Sequence, residues 1–306
     1  MKKIVLLNIT LFLTLVLLLA INTSVGAAPF QQTEQPEQAE QRQLIYLPVV
    51  ATGTQQSQNS TVNDSTGVET PVQAAGIAST KAVTIGFSGY TWTVKSGDHL
   101  PPGAPNGVGN NWSASNVSVG PTGDLHLKIT NVNGKWYCAE ISTTIPFGFG
   151  KFQWQVISRL DQLDPNIVLG LFTYPTPNVG PDGTNEIDIE FARWGSPSHP
   201  PGNYTVYPAV TGRPPTAHTF NFTLQGTYTT QRFTWQTKSM LFQSLHGHTD
   251  TNANEFSRWT FAPRQPSKDI PQKPVPVHIN LWLFQGHAPT NQQPVEVVIH
   301  QFKFTP

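Results

Sequence analysis

Large hydrophobic side chains recur at every second position in several runs: Leu125, Leu127 and Ile129; Phe152, Trp154 and Val156; Phe233 and Trp235; Ile279, Leu281 and Leu283; Val295, Val297 and Ile299. A strand points successive side chains to opposite faces, so each run describes a β-strand with one apolar face. Turn-forming clusters such as Pro101-Pro102-Gly103-Ala104-Pro105 and Gly212-Arg213-Pro214-Pro215 lie between them. Nowhere does a capped helical period persist. One-sided sheets must bury their apolar faces against each other, and the expected fold class is an all-β sandwich without internal repeats.

One run adds chemistry to this pattern. Residues 184–194 read Thr-Asn-Glu-Ile-Asp-Ile-Glu-Phe-Ala-Arg-Trp, in which Glu186, Asp188 and Glu190 alternate with Ile187, Ile189 and Phe191. Period two sends every acid to one face and every hydrophobe to the other. Side-by-side carboxyls repel, which stability alone does not favour. Hydrolysis of a glycosidic bond, however, needs two carboxyls in opposite protonation states, and the first charge formed in such a row raises the pKa of its neighbours. The row therefore points to catalysis on a glycoside.

Composition narrows the setting. Lys plus Arg and Asp plus Glu both count 18 in 306 residues, and no basic stripe occurs, which argues against a nucleic-acid partner. Cys138 is the only cysteine, so no intramolecular disulfide forms and no multi-thiolate metal site exists; beside Trp136 and Tyr137 it reads as a small buried hydrophobe. Lys2 and Lys3, an apolar run from Ile4 to Ile21 and Val25-Gly26-Ala27 make a secretory signal peptide over 1–27. The expectation is therefore a secreted, extracellular protein with no stable membrane insertion after cleavage. Residues 28–80 are a disordered polar linker by composition, interrupted by the apolar island Leu44 to Val50. Residues 81–306 remain for one catalytic domain, expected to be a monomer.

The segments Gly148-Phe149-Gly150-Lys151-Phe152, Leu171-Phe172-Thr173-Tyr174, Glu186 to Phe191 and Asn280-Leu281-Trp282 together resemble glycoside hydrolase family 16, nearest its licheninase branch. The resemblance implies a β-jelly-roll sandwich of two curved antiparallel sheets with a concave cleft for a polysaccharide. It makes Glu186 the nucleophile, Glu190 the acid/base and Asp188 the residue that tunes the nucleophile, in a retaining reaction. Retention needs carboxyls about 5 to 5.5 Å apart, whereas backbones four residues apart on a straight strand lie about 13 Å apart. Strand curvature and leaning side chains must close that gap.

Around the acids, the resemblance makes Glu140 a sugar-contacting residue. Phe172, Trp194 and Trp282 offer flat apolar faces to sugar rings, Trp282 sharing strand parity with Asn280, and Tyr207 is a further cleft candidate. Ser142 and Thr184 stand where licheninases commonly carry Arg and Trp, which leaves the glucan linkage open. No cofactor takes part in catalysis by this reading, and a structural calcium is compatible with the family. The expected function is a secreted endo-β-glycanase hydrolysing a β-glucan. Its rivals are a non-catalytic carbohydrate-binding protein and a transglycosylase with the same site. Asn111, Asn116, Asn203 and Asn221 each open a glycosylation sequon.

Overall fold

The structure is a computed structural model that describes residues 82–103 and 109–306. The signal peptide, the linker with its Leu44 to Val50 island and the boundary at residue 81 lie outside the described residues. Strands follow in chain order as β1 (Thr84–Phe87), β2 (Tyr90–Val94), β3 (Gly97–Gly103), β4 (Gly109–Trp112), β5 (Val117–Val119), β6 (Leu125–Val132), β7 (Lys135–Tyr137), β8 (Ala139–Phe147) and β9 (Gly150–Ile157). They continue as β10 (Ile167–Thr173), β11 (Ile187–Ala192), β12 (Gly202–Val206), β13 (Thr216–Phe220), β14 (Tyr228–Trp235), β15 (Met240–His246), β16 (Glu255–Phe261), β17 (Val275–Leu283) and β18 (Val295–Thr305). Among the described residues helix is confined to short turns, the one α-helix spanning Pro266–Asp269.

The strands pair antiparallel into two large sheets. One runs β1-β2-β8-β17-β10-β11-β12-β13; the other runs β16-β15-β14-β9-β18-β6-β5, with β7 on β6. A small β3-β4 hairpin stands apart from both. Neighbours such as β8 and β17 are far apart in sequence, the mark of a jelly roll. The fold is thus the all-β sandwich expected from the alternation, with the jelly-roll order that the family 16 resemblance implied.

The apolar rows meet between the sheets. Tyr204 of β12 lies 4.9 Å from Phe242 of β15, and its hydroxyl is 2.7 Å from the Ser244 hydroxyl. Phe147 of β8 approaches Phe302 of β18 at 6.0 Å. Every residue of the runs named from the sequence is buried except Val295, which is partly buried against the core, and Cys138 is buried with them. Burial pushes the Cys138 thiol up to about 12, so it behaves as the small hydrophobe its neighbours suggested.

Strand β10 departs from simple alternation. All of Ile167–Thr173 is buried, on both faces of the sheet. Its inner face feeds the core, while its outer face forms the floor of the cavity described below. A strand covered on both sides reads as a continuous apolar run, which is why period two does not reveal it.

Phe152 sits at the centre of the aromatic core, with ring centroids of Phe233 at 4.7 Å and Phe304 at 4.9 Å. Phe152→Ala should lower unfolding stability by about 3–5 kcal/mol, measured by chemical denaturation. A loss below about 1 kcal/mol would show that the core collapses around the vacancy or does not depend on this ring.

Candidate active site

The acid row forms as its spacing requires. Ile187, Ile189 and Phe191 face the core, and Glu186, Asp188 and Glu190 face the outer side of the first sheet. Glu186 is delivered just ahead of β11 by a tight turn, with Gly183 and Asn185 in the left-handed region at φ 76° and 55°. The Asn185 N–H donates to Pro208 O at 2.8 Å, and its amide donates to the Thr184 hydroxyl at 3.0 Å. Thr184 in turn donates to Pro181 O at 2.7 Å. The Tyr207 N–H donates to Glu186 O at 2.9 Å, which ties the first acid to the chain following β12.

Register carries the row across the sheet. Asp188 lies opposite Phe172, and Phe172 opposite His278. Glu190 lies opposite Gly170, then Asn280, then Glu140. A Cβ at Gly170 would sit 2.4 Å from Asn280 Oδ1, so the glycine lets the Asn280 side chain lie close over β10.

These residues line a cavity of about 390 Å³. The acid row, Glu140, Phe172, Tyr207, Asn280 and Trp282 all reach it. Trp194 does not line it. Its indole donates to Asn203 Oδ1 at 3.3 Å, and its ring packs 6.4 Å from Trp282. The reason is local: β11 ends at Ala192, and Trp194 takes φ 50°, so strand parity no longer governs its direction. Asn203 is itself buried, donating to Ala192 O at 3.1 Å, and Asn116 donates to Tyr137 O at 2.8 Å. Two of the sequon amides are thereby taken up inside the fold.

The cavity also gathers Lys95, Tyr174, Asp182 and His278, which sequence reasoning missed. His278 shares parity with Asn280 and Trp282, and Tyr174 with Phe172, so period two had the signal for both. Lys95 and Asp182 come from outside the strands, at positions without a periodic mark. The Tyr174 hydroxyl donates to Asp182 at 2.7 Å.

Electrostatics divide the acids into two groups. Burial raises all three members of the row. Glu186 is raised further by the charge of Glu190, though a hydrogen bond with Asp188 draws it back; Asp188 is raised further by Glu186 and then Glu190. Glu190 is pushed up to about 8 by burial. Burial and the neighbouring charges therefore favour retention of protons in the row. Burial also works to raise Glu140, but the Lys95 ammonium and the His278 hydrogen bond outweigh it and hold that carboxyl below its ordinary value. Burial and then Glu186 raise the Tyr207 hydroxyl, so it remains a neutral phenol. Among the described residues no group of three or more His, Cys, Asp or Glu is arranged to hold a metal ion.

No family model and no curated protein matches the chain. Solved structures do. A Bacillus licheniformis β-glucanase aligns at 23% identity over 70% of this chain and 92% of its own, with a TM-score of 0.52. A Bacteroides ovatus glycoside hydrolase family 16 protein, solved with a mixed-linkage glucan product, aligns at 16% identity over 70% and 94%, with a TM-score of 0.52. A Mycobacterium tuberculosis antigen described as a pseudo β-1,3-glucanase aligns at 17% over 70% and 91%, again at 0.52. These likenesses establish the fold, the same jelly roll that the family 16 resemblance implied.

The raised Glu190 has a consequence for stability. In the folded state it keeps its proton up to about 8, whereas unfolded it releases it near the ordinary 4.5. Between those values the native state binds more protons than the unfolded one, so its contribution to stability falls as pH rises through the window. Glu190→Gln, which cannot ionise, should therefore raise Tm relative to the parent more at pH 8 than at pH 5. An equal shift at both pH values in thermal scans would refute the raised pKa.

Proposed function

We propose that the chain is a retaining endo-β-glycanase of glycoside hydrolase family 16 that hydrolyses an uncharged β-glucan. The observation that carries the reading is the row of three carboxyls, Glu186, Asp188 and Glu190, side by side on the cavity face of β11. Burial pushes Glu190 up to about 8, beside two further acids on the same face. One face thus supplies both the acid and the nucleophile that the reaction needs.

In this mechanism Glu186 attacks the anomeric carbon as a carboxylate while Glu190 gives its proton to the departing glycosidic oxygen. A covalent glycosyl-enzyme forms and the aglycone leaves as an alcohol. Glu190, now a carboxylate, takes a proton from water as that water attacks the anomeric carbon and frees Glu186. Asp188 steadies Glu186 by sharing a proton with it through both steps. Trp282 and Phe172 give the cavity apolar surface for sugar rings, and Tyr207 remains a neutral hydrogen-bonding phenol. The chemistry needs no cofactor. The protein works as a monomer, exported by its N-terminal segment.

A sugar hydroxyl in place of water would make the same residues a transglycosylase. A non-catalytic reading also has an observation behind it, since one protein of this fold is described as a pseudo-glucanase. Release of reducing sugar from a panel of β-glucans separates turnover from binding alone, and mass spectrometry of products longer than the substrate separates transfer from hydrolysis.

Glu186→Gln should fold, keep glucan affinity and lose nearly all turnover; wild-type activity in that variant would dismiss the nucleophile assignment. Glu186→Ala given azide and an activated substrate should release the inverted glycosyl azide. Glu190→Ala should cost about 10² to 10⁴ in rate on native glucan and far less on an aryl glycoside, whose leaving group needs little protonation. Equal losses on both substrates would assign Glu190 another role.

A further inference from the structure

Across the cavity floor from the acids, Glu140 has both carboxylate oxygens engaged. Lys95 Nζ donates to Oε2 at 2.9 Å, and His278 Nδ1 meets Oε1 at 3.1 Å. Lys95 is itself tied down: it donates to Pro101 O at 2.6 Å and lies 4.3 Å over the Trp112 ring. Its ammonium keeps Glu140 ionised, and an ionised carboxylate only accepts. Nδ1 therefore carries a hydrogen toward Glu140, which leaves Nε2 as the ring's other hydrogen-bonding nitrogen.

Nothing among the described residues takes up Nε2, although His278 lines the cavity. The ring is held in place by Phe172, 5.1 Å away at 35°, and by Tyr174, 5.7 Å away at 61°. Its cross-strand neighbour on β8 is the short Ser142, which does not cover it. His278 lies two strands from Asp188, roughly 10 Å by strand spacing. That is too far to touch the bond being broken and suits contact with the adjoining sugar.

We propose that His278 is a specificity-determining residue, whose Nε2 hydrogen-bonds a hydroxyl of the sugar next to the one being cleaved. Glu140 and Lys95 are positioning residues that hold its ring. The site then selects a glucan with a free hydroxyl at that place, and Glu140, expected from the sequence to contact sugar itself, acts through His278. This inference rests on reading the cavity as a glucan site.

The test measures binding by calorimetry in the Glu186→Gln protein, with a mixed-linkage β-glucan tetrasaccharide and a β-1,3-glucan tetrasaccharide as probes. His278→Phe keeps the ring stack and removes the hydrogen-bonding nitrogen, and should weaken the better-bound probe about tenfold. Glu140→Gln should also weaken it, but add nothing in the His278→Phe background, a coupling that a general packing role would not produce. Thermal unfolding of each variant confirms that it is folded, and His278→Gln repeats the measurement if the Phe variant is not. Unchanged affinity in a folded His278 variant overturns the proposal while leaving the hydrolase reading intact. If the native protein turns over no glucan yet His278→Phe still weakens binding, hydrolysis fails and the contact stands. Absence of binding by either probe overturns both.

Discussion

Three carboxyls side by side on a covered sheet face are the constraint around which this protein is organised. Asp188 and Glu186 are exposed to only 3% and 9%, so water does little to separate their charges. The energy of the row is then governed by how many protons it holds. Such a face persists only if the backbone beneath it is rigid enough to keep the acids together despite their repulsion. Paired strands on both sides of β11 supply that rigidity, and the apolar residues between the acids anchor it to the core.

The surroundings follow from the same problem. Between Glu190 and Asn280 the sheet carries Gly170, and the Asn280 side chain takes the place a Cβ there would occupy. A further acid, Glu140, would add to the repulsion if it stood alone, but the Lys95 ammonium offsets its charge and His278 hydrogen-bonds its other oxygen. The cavity thus has two electrostatic regimes a short distance apart. At one side charge is suppressed by burial; at the other it is sustained by a partner. A chain of neutral sugars can cross both regimes without bringing a charge of its own.

Much of this was legible in the sequence, because period two is a local property. The alternating runs assigned the inward faces of β6, β9, β14, β17 and β18, and the Glu186 to Phe191 run placed the acids on one face. Parity failed where the backbone left the strand, as at Trp194 with its positive φ. It was silent where both faces are covered, as along β10. What local pattern could not supply was pairing at a distance. Lys95 reaches Glu140 across 45 positions, and His278 reaches it across 138; sheet order brings them together, and sheet order is not written in any one segment. The same limit hid the burial of Asn116 and Asn203, whose sequons look no different from exposed ones.

The isolation of Cys138 has a consequence beyond packing. A sandwich with one thiol, enclosed in the core and held as a thiol by burial, has no crosslink to form and none to lose. The native state of the described domain is therefore indifferent to the redox potential of its surroundings. An unfolded chain needs neither an oxidant nor a disulfide isomerase to return, and it has no intramolecular mispairing in which to become trapped. Recovery after denaturation involves no thiol–disulfide chemistry within the chain.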